Sequence, residues 1–305
     1  MPSNDHPSDK ATYTFSVTVP TGTTVVANGV LQSSEASAAG TTWVWRQEQP
    51  MATYLILLVT GAYDIVDGTG PNDLPLTSAV LTADHALMQP FLDSIAEEID
   101  FFDDWFGPYP LAQYGIAITD SAGGLAMETQ GRSMFSRDDL LSGELGYIEQ
   151  LLLSHELSHQ WFGDAVTPAE WSDIWLNESF ATYAQWMWLE HVGLSSVQQE
   201  ADSALDGRQD GIGEPTGSPS VDGMFGFNSY DGGAIVLHAL RMTIGDDDFF
   251  KVLQTWVSDN VGQSRFTSDF IALAERISGR DLTALFDDWL YATQVPAAFP
   301  SAQTG

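Results

Sequence analysis

The sequence predicts an α+β protein in which a partial β-sheet segment precedes a mainly helical body. Residues Ala11 to about Val66 alternate or run apolar and β-branched with little helical period. A Gly, Pro and Asp cluster, DGTGPNDLP from Asp67 to Pro75, then interrupts the chain. Beyond it, apolar residues recur at helical spacing almost to the end. These observations divide the chain into residues 1–69 and 70–305.

Within the first part, TYTFSVTVP alternates, TTWVW is β-branched and aromatic, and ATYLILLVTGAYDIV is a longer apolar run. Turn clusters at Pro20-Thr-Gly and Asn28-Gly separate the strands. Such a small set leaves a raw sheet edge unless another element completes it. In the second part a helix is expected over His85 to Phe106, stopped by Gly107-Pro. The short strand YGIAIT follows, then helices at 146–162, 177–190, 230–243, 247–257, 267–277 and 282–291. The Gly-rich stretch DGRQDGIGEPTGSPSVDG reads as a loop, and no internal repeat is present.

Composition narrows the chemistry. The 305 residues carry 42 acids against 10 Lys and Arg, a formal net charge of -32. That excludes nucleic-acid backbones and anionic membrane surfaces as natural partners. Only Lys10 and Lys251 are lysines, so the acid excess covers the whole surface. It fits both an ordinary protein of low pI and one adapted to high salt. Cysteine is absent, so any metal must be held by His and carboxylates. No apolar run reaches the ~20 residues of a membrane span, and the opening MPSNDHPSDK does not resemble a signal peptide.

The informative segment is LLLSHELSHQWFGDAVTPAEWSDIWLNESFATYAQ. His155 and His159 stand one helical turn apart on one face, so both imidazoles can reach a single ion. Glu156 is displaced by about 100° around the helix, where a general base acting on water would sit. Two histidines and a glutamate inside an apolar helix are costly to bury without a metal. Catalytic zinc takes three protein ligands, and Glu178, with 18 residues between it and His159, is the best third candidate. Taken alone, Glu178 would be a first-turn acid favoured by the helix dipole. Its spacing from the histidines reverses that preference.

This pattern resembles the gluzincin metallopeptidases, and in particular the M1 family of zinc aminopeptidases. Leu125-Ala-Met-Glu-Thr129 is similar to that family's GAMEN segment, with Leu for Gly and Thr for Asn. Tyr230-Asp-Gly-Gly is similar to YxKG, with Gly232 in place of Lys, and NDHPSDKATY and FGPYP extend the likeness over nearly the entire chain. The resemblance implies a thermolysin-like catalytic domain over 70–305, preceded over 1–69 by the end of an aminopeptidase-type β-sheet domain. It implies one Zn²⁺ per chain on His155, His159 and Glu178, with Glu156 as general base and proton shuttle and Tyr230 holding the oxyanion. Glu128 would bind the substrate's free α-ammonium, and the backbone around Ala126 and Met127 would pair with the substrate chain.

The chain is short for the family, as if cut at both ends, and a family glutamine that helps hold the amine would lie upstream of the opening residues. The leading reading is hydrolysis of the N-terminal bond of peptides with a free N-terminus. A thermolysin-like endopeptidase with an open site and a non-catalytic aminopeptidase-like scaffold are the alternatives.

Overall fold

A computed structural model describes residues 3–120, 126–210 and 213–301. The first strand, β1 (Lys10–Val19), pairs antiparallel with the long β4 (Gly40–Ala52), which pairs antiparallel with β3 (Val30–Ser37). Between them β2 (Thr24–Ala27) pairs with β5 (Leu58–Gly61) in a separate two-stranded sheet. The run ATYLILLVTGAYDIV is therefore not one strand. It bends through a 3₁₀ turn at Thr53–Leu55, continues as β5, and re-forms as β6 (Tyr63–Thr69).

A four-stranded sheet follows in the order β6, β7 (Pro75–Leu81), β8 (Ile116–Thr119) and β9 (Ser133–Ser136). The β6–β7 pair is antiparallel, whereas β7–β8 and β8–β9 are parallel, so a connection over the sheet is needed between β7 and β8. Helix α1 (His85–Phe106) makes it and ends at Gly107, as its Gly-Pro stop predicts. Trp45, Val26 and Ala27 share a small core with Ala79 and Ala117 of this sheet.

The main core is helical. Helix α2 (Tyr147–Ser158) packs on α3 (Trp175–His191), and α3 packs on α5 (Asp231–Ile244). Every residue of α3 from Trp175 to Leu189 is buried. A helix without a solvent face lies in the interior rather than on a surface. Helix α4 (Val197–Asp210) was not expected, and its end from Asp206 onward falls in the stretch read as loop. Its inward face is Val197, Ala201, Ala204 and Leu205, too small-sided to stand out in an acidic, Gln-rich segment. Helices α6 (Asp246–Asn260), α7 (Thr267–Ser278) and α8 (Thr283–Trp289) close the body, and β10 (Thr167–Pro168) pairs parallel with β11 (Ser264–Arg265). The α+β class holds: a sheet segment comes first and a helical body second.

Candidate metallopeptidase site

Helix α2 places His155 and His159 on one side, and the chain leaves the helix at once. The backbone N–H of Asp164 donates to the His159 carbonyl at 3.0 Å, and Gly163 turns with φ +127°. A side chain at Gly163 would lie 3.1 Å from Asn177 and 3.3 Å from His159 Nδ1, so the turn needs glycine for both shape and space. This ends the helix earlier than the sequence period suggests and folds the following segment back toward α3.

Both imidazoles are oriented through Nδ1. His155 Nδ1 lies 2.8 Å from Gln185 Oε1, and His159 Nδ1 lies 3.1 Å from the Phe162 carbonyl. Each partner is an acceptor, so Nδ1 carries the hydrogen and Nε2 presents a lone pair. The two Nε2 atoms are 3.2 Å apart, and Glu178 Oε2 lies 3.5 Å from one and 3.4 Å from the other. A tetrahedral zinc with bonds of about 2.0 to 2.1 Å spaces its ligands by about 3.3 to 3.4 Å. The triangle matches that spacing, and facing lone pairs beside a carboxylate are repulsive unless a cation lies among them. The residues fit zinc.

The electrostatics agree. Burial alone would lower His159, yet Glu178, Glu128 and Glu156 outweigh it and hold the imidazole well above its usual range. Burial alone would raise Glu178, yet His159 and His155 outweigh it and pull the carboxyl below its usual range. A site that favours positive charge this strongly is one that a dication would occupy.

Glu156 is buried on the same helix, and its carboxylate forms a second close group with those of Glu128 and the His159 ring, all within 4.8 Å. Burial, then the neighbouring Glu128 and Glu178 against His159, pushes Glu156 well above the ordinary carboxylate range. Met127 pairs with Met134 of β9 through N–H···O bonds of 2.8 and 2.7 Å in the two directions. Strand alternation then turns the backbone groups of Ala126 away from β9, and Ala126 lines the cavity. Leu125, the first residue of that motif, lies outside the described residues.

Tyr230 opens α5, its ring stacked on His155 at 5.9 Å. Gly233 makes that approach feasible, because a side chain there would meet Ser179 Oγ at 1.7 Å. Ser179 Oγ in turn donates to the Ser229 carbonyl at 2.7 Å, tying the Tyr230 turn to the residue after Glu178.

Sequence reasoning missed several residues here. Gln160 links the zinc helix to the Glu128 segment, its Nε2 donating to the Glu128 carbonyl at 3.1 Å and its Oε1 accepting from Gly131 N–H at 2.6 Å. Gln185 orients His155, and Lys10 crosses from β1 to donate to the Asp164 carbonyl at 2.9 Å. Tyr54, from the 3₁₀ turn of the first segment, lines the cavity, with Asn177 Nδ2 donating to its hydroxyl at 3.2 Å. Only Lys10 had a signal, as part of NDHPSDKATY. The cavity is about 510 Å³ and is lined by His155, Glu156, His159 and Glu178 together with Tyr54, Glu128, Trp171 and Tyr230.

Two imidazoles on one helix, a glutamate on the next and a carboxylate poised beside them make up a site of the HExxH metallopeptidase type. The Peptidase family M1 domain matches residues 91–289 and the Peptidase M1 N-terminal domain matches residues 1–55; the chain belongs to peptidase family M1. It is similar to aminopeptidase M1-C of Oryza sativa subsp. japonica, 29% identical over 309 residues that cover 95% of this chain and 35% of the relative. Glutamyl aminopeptidase of Sus scrofa is 29% identical over 311 residues, 95% of this chain and 33% of that protein. The chain spans about a third of the length of these curated relatives. Among solved structures, a mutant of a two-domain M1 zinc metallopeptidase bound to L-tryptophan superposes with a TM-score of 0.87 at 29% identity, covering 99% of this chain and 68% of the other. The M1 zinc metallopeptidase of Deinococcus radiodurans superposes with a TM-score of 0.84 at 29% identity and the same coverage. Among the described residues, no helix is long and apolar enough to cross a membrane.

Proposed function

We propose that the chain is the catalytic part of a zinc aminopeptidase, hydrolysing the N-terminal bond of peptides that carry a free amine. The observation that carries the reading is the convergence of His155 Nε2, His159 Nε2 and Glu178 Oε2 at 3.2 to 3.5 Å, with the carboxylates of Glu156 and Glu128 beside them. When bound, zinc supplies a Lewis acid that polarises the scissile carbonyl and makes water acidic enough to attack near neutral pH. The rest is the work of side chains. Glu156 takes the proton of the attacking water and delivers it to the leaving amine, and its raised pKa suits that shuttle. Tyr230, kept neutral by burial and by Glu178, donates its hydroxyl hydrogen to the oxyanion. The backbone at Ala126 offers an extended edge to the substrate chain, with Met127 anchoring that edge to Met134, and Glu128 holds the α-ammonium. In this reading residues 70–305 are the catalytic unit and residues 1–69 the end of an aminopeptidase-type sheet that braces it through Lys10.

The test compares a free-amine aminoacyl substrate with its N-acetylated twin, each with and without a zinc chelator. Chelator-sensitive cleavage with a strong preference for the free-amine substrate is expected. Equal cleavage of both transfers the protein to the endopeptidase reading, and activity indifferent to chelation removes zinc from the reaction. His159→Ala should lose both metal and turnover.

A further inference from the structure

We propose that the Tyr54 hydroxyl, braced by Asn177, is part of the seat that receives the substrate's α-ammonium; the inference rests on the aminopeptidase reading above. An α-ammonium carries three N–H donors, and the two carboxylate oxygens of Glu128 satisfy two of them. A third acceptor is required, since a buried donor on a charged group is costly to leave unpaired. Tyr54 offers an uncharged acceptor in the same cavity. It lines that space with Glu128, Trp171 and Glu178, and the charges of Glu128 and Glu178 both act on its hydroxyl.

The hydroxyl is held from behind. Asn177 is fully buried, precedes the ligand Glu178, and donates from Nδ2 to the Tyr54 oxygen at 3.2 Å. That leaves the oxygen a lone pair. Turning the amide over would make the hydroxyl the donor to Asn177 Oδ1 and would free both lone pairs, so either arrangement keeps an acceptor available. Asn177 Oδ1 itself has no hydrogen-bond partner among the described residues. The ring is fixed edge-on against Trp171 with centroids 5.0 Å apart. Burial, with Glu128, Asp164 and Glu178 around it, pushes the phenol well above its usual range, so it meets the ammonium as a neutral dipole. The surrounding carboxylates favour a cation at this spot and the hydroxyl gives it direction. The geometry also gives the first segment a part in substrate recognition, because Tyr54 lies beyond β4 and not in the helical body.

Tyr54→Phe keeps the ring and removes only the hydroxyl. In the zinc-loaded protein KM for a free-amine aminoacyl p-nitroanilide should rise about tenfold with kcat changed less than about threefold, the lower end of what a hydrogen bond to a charged group contributes. Cleavage of the N-acetylated twin should be unchanged, so the preference for free amines falls by the same factor. Zinc content and melting midpoint should match the parent. An unchanged KM, an equal loss on both substrates, or loss of zinc or of the folded transition would overturn the proposal, the last two by assigning Tyr54 a purely structural role. If the parent itself cuts both substrates alike, the aminopeptidase reading fails first and independently.

Discussion

Glu98 is a carboxylate in the wrong place for stability, and replacing it by glutamine should make the protein more stable at alkaline pH by a calculable amount. It lies on the inner face of α1 beside Ile95, Ile99 and Phe102, only 2% exposed. Ser94 Oγ donates to its Oε1 at 2.8 Å, its single hydrogen bond among the described residues. Burial raises its pKa from 4.5 to about 7, partly opposed by Ser94 and assisted by Glu97. Because the folded pKa is the higher one, folding favours the protonated acid. The contribution is intact below about 4.5 and is lost as the pH rises through about 7. With 1.36 kcal/mol per pH unit, the charged group costs about 1 kcal/mol at pH 5 and about 3 kcal/mol at pH 8. Glu98→Gln carries no such cost, so its melting midpoint should exceed the parent's by about 5 °C at pH 8 and by about 1 to 2 °C at pH 5. Thermal melts of both proteins across that range, at constant excess zinc so that metal linkage cancels, supply the comparison. Parallel curves, or a variant less stable at pH 8, would refute the reasoning.

Glu156→Gln should retain zinc by metal analysis while turnover falls by several orders of magnitude, since the amide keeps the shape but accepts no proton. Tyr230→Phe should lower kcat by about 10² to 10³ with a smaller change in KM, the signature of a donor that matters most in the transition state. Gln160→Ala unties the Glu128 segment from the zinc helix and strands the Gly131 N–H, so chemical denaturation should register a loss of about 1 to 3 kcal/mol and steady-state kinetics a raised KM. With a net charge of -32, the melting midpoint should climb from low salt to about 1 M sodium chloride as the screening length shrinks to about 3 Å, and a flat series would leave the acidity without an adaptive role.

The ligand set was legible because its signal is local: His155 and His159 are one turn apart, and Glu178 follows at a spacing that lets two helices pack. Helix α1 was legible from end to end, since Gly107-Pro stops it and its apolar residues recur at helical spacing. Tyr54 was not. It sits in an apolar run whose pattern suits a strand, and the bend that delivers its hydroxyl to the cavity has no Gly or Pro to mark it. Gln160 and Gln185 escaped for a different reason, because a glutamine on a helix reads as surface until the partner across the interface is known. Helix α4 was hidden by alanines where a stripe of larger residues would have declared it.

The enclosure of α3 as far as Leu189 bears on how this site can change over generations. A helix half in water drifts freely on its wet side, and such drift lets a family explore neighbouring functions at little cost. From Trp175 to Leu189 there is no wet side, and Asn177, Glu178, Ser179 and Gln185 share that stretch with five aromatic residues that fill the core. Substitutions that would re-aim the glutamate also reshape the packing, so innovation is pushed to the rim. There Phe225, 64% exposed, borders the same cavity, and exchange at that position leaves the interior untouched. Deep mutational scanning should therefore return a helix nearly silent to tolerated change and a mouth open to it.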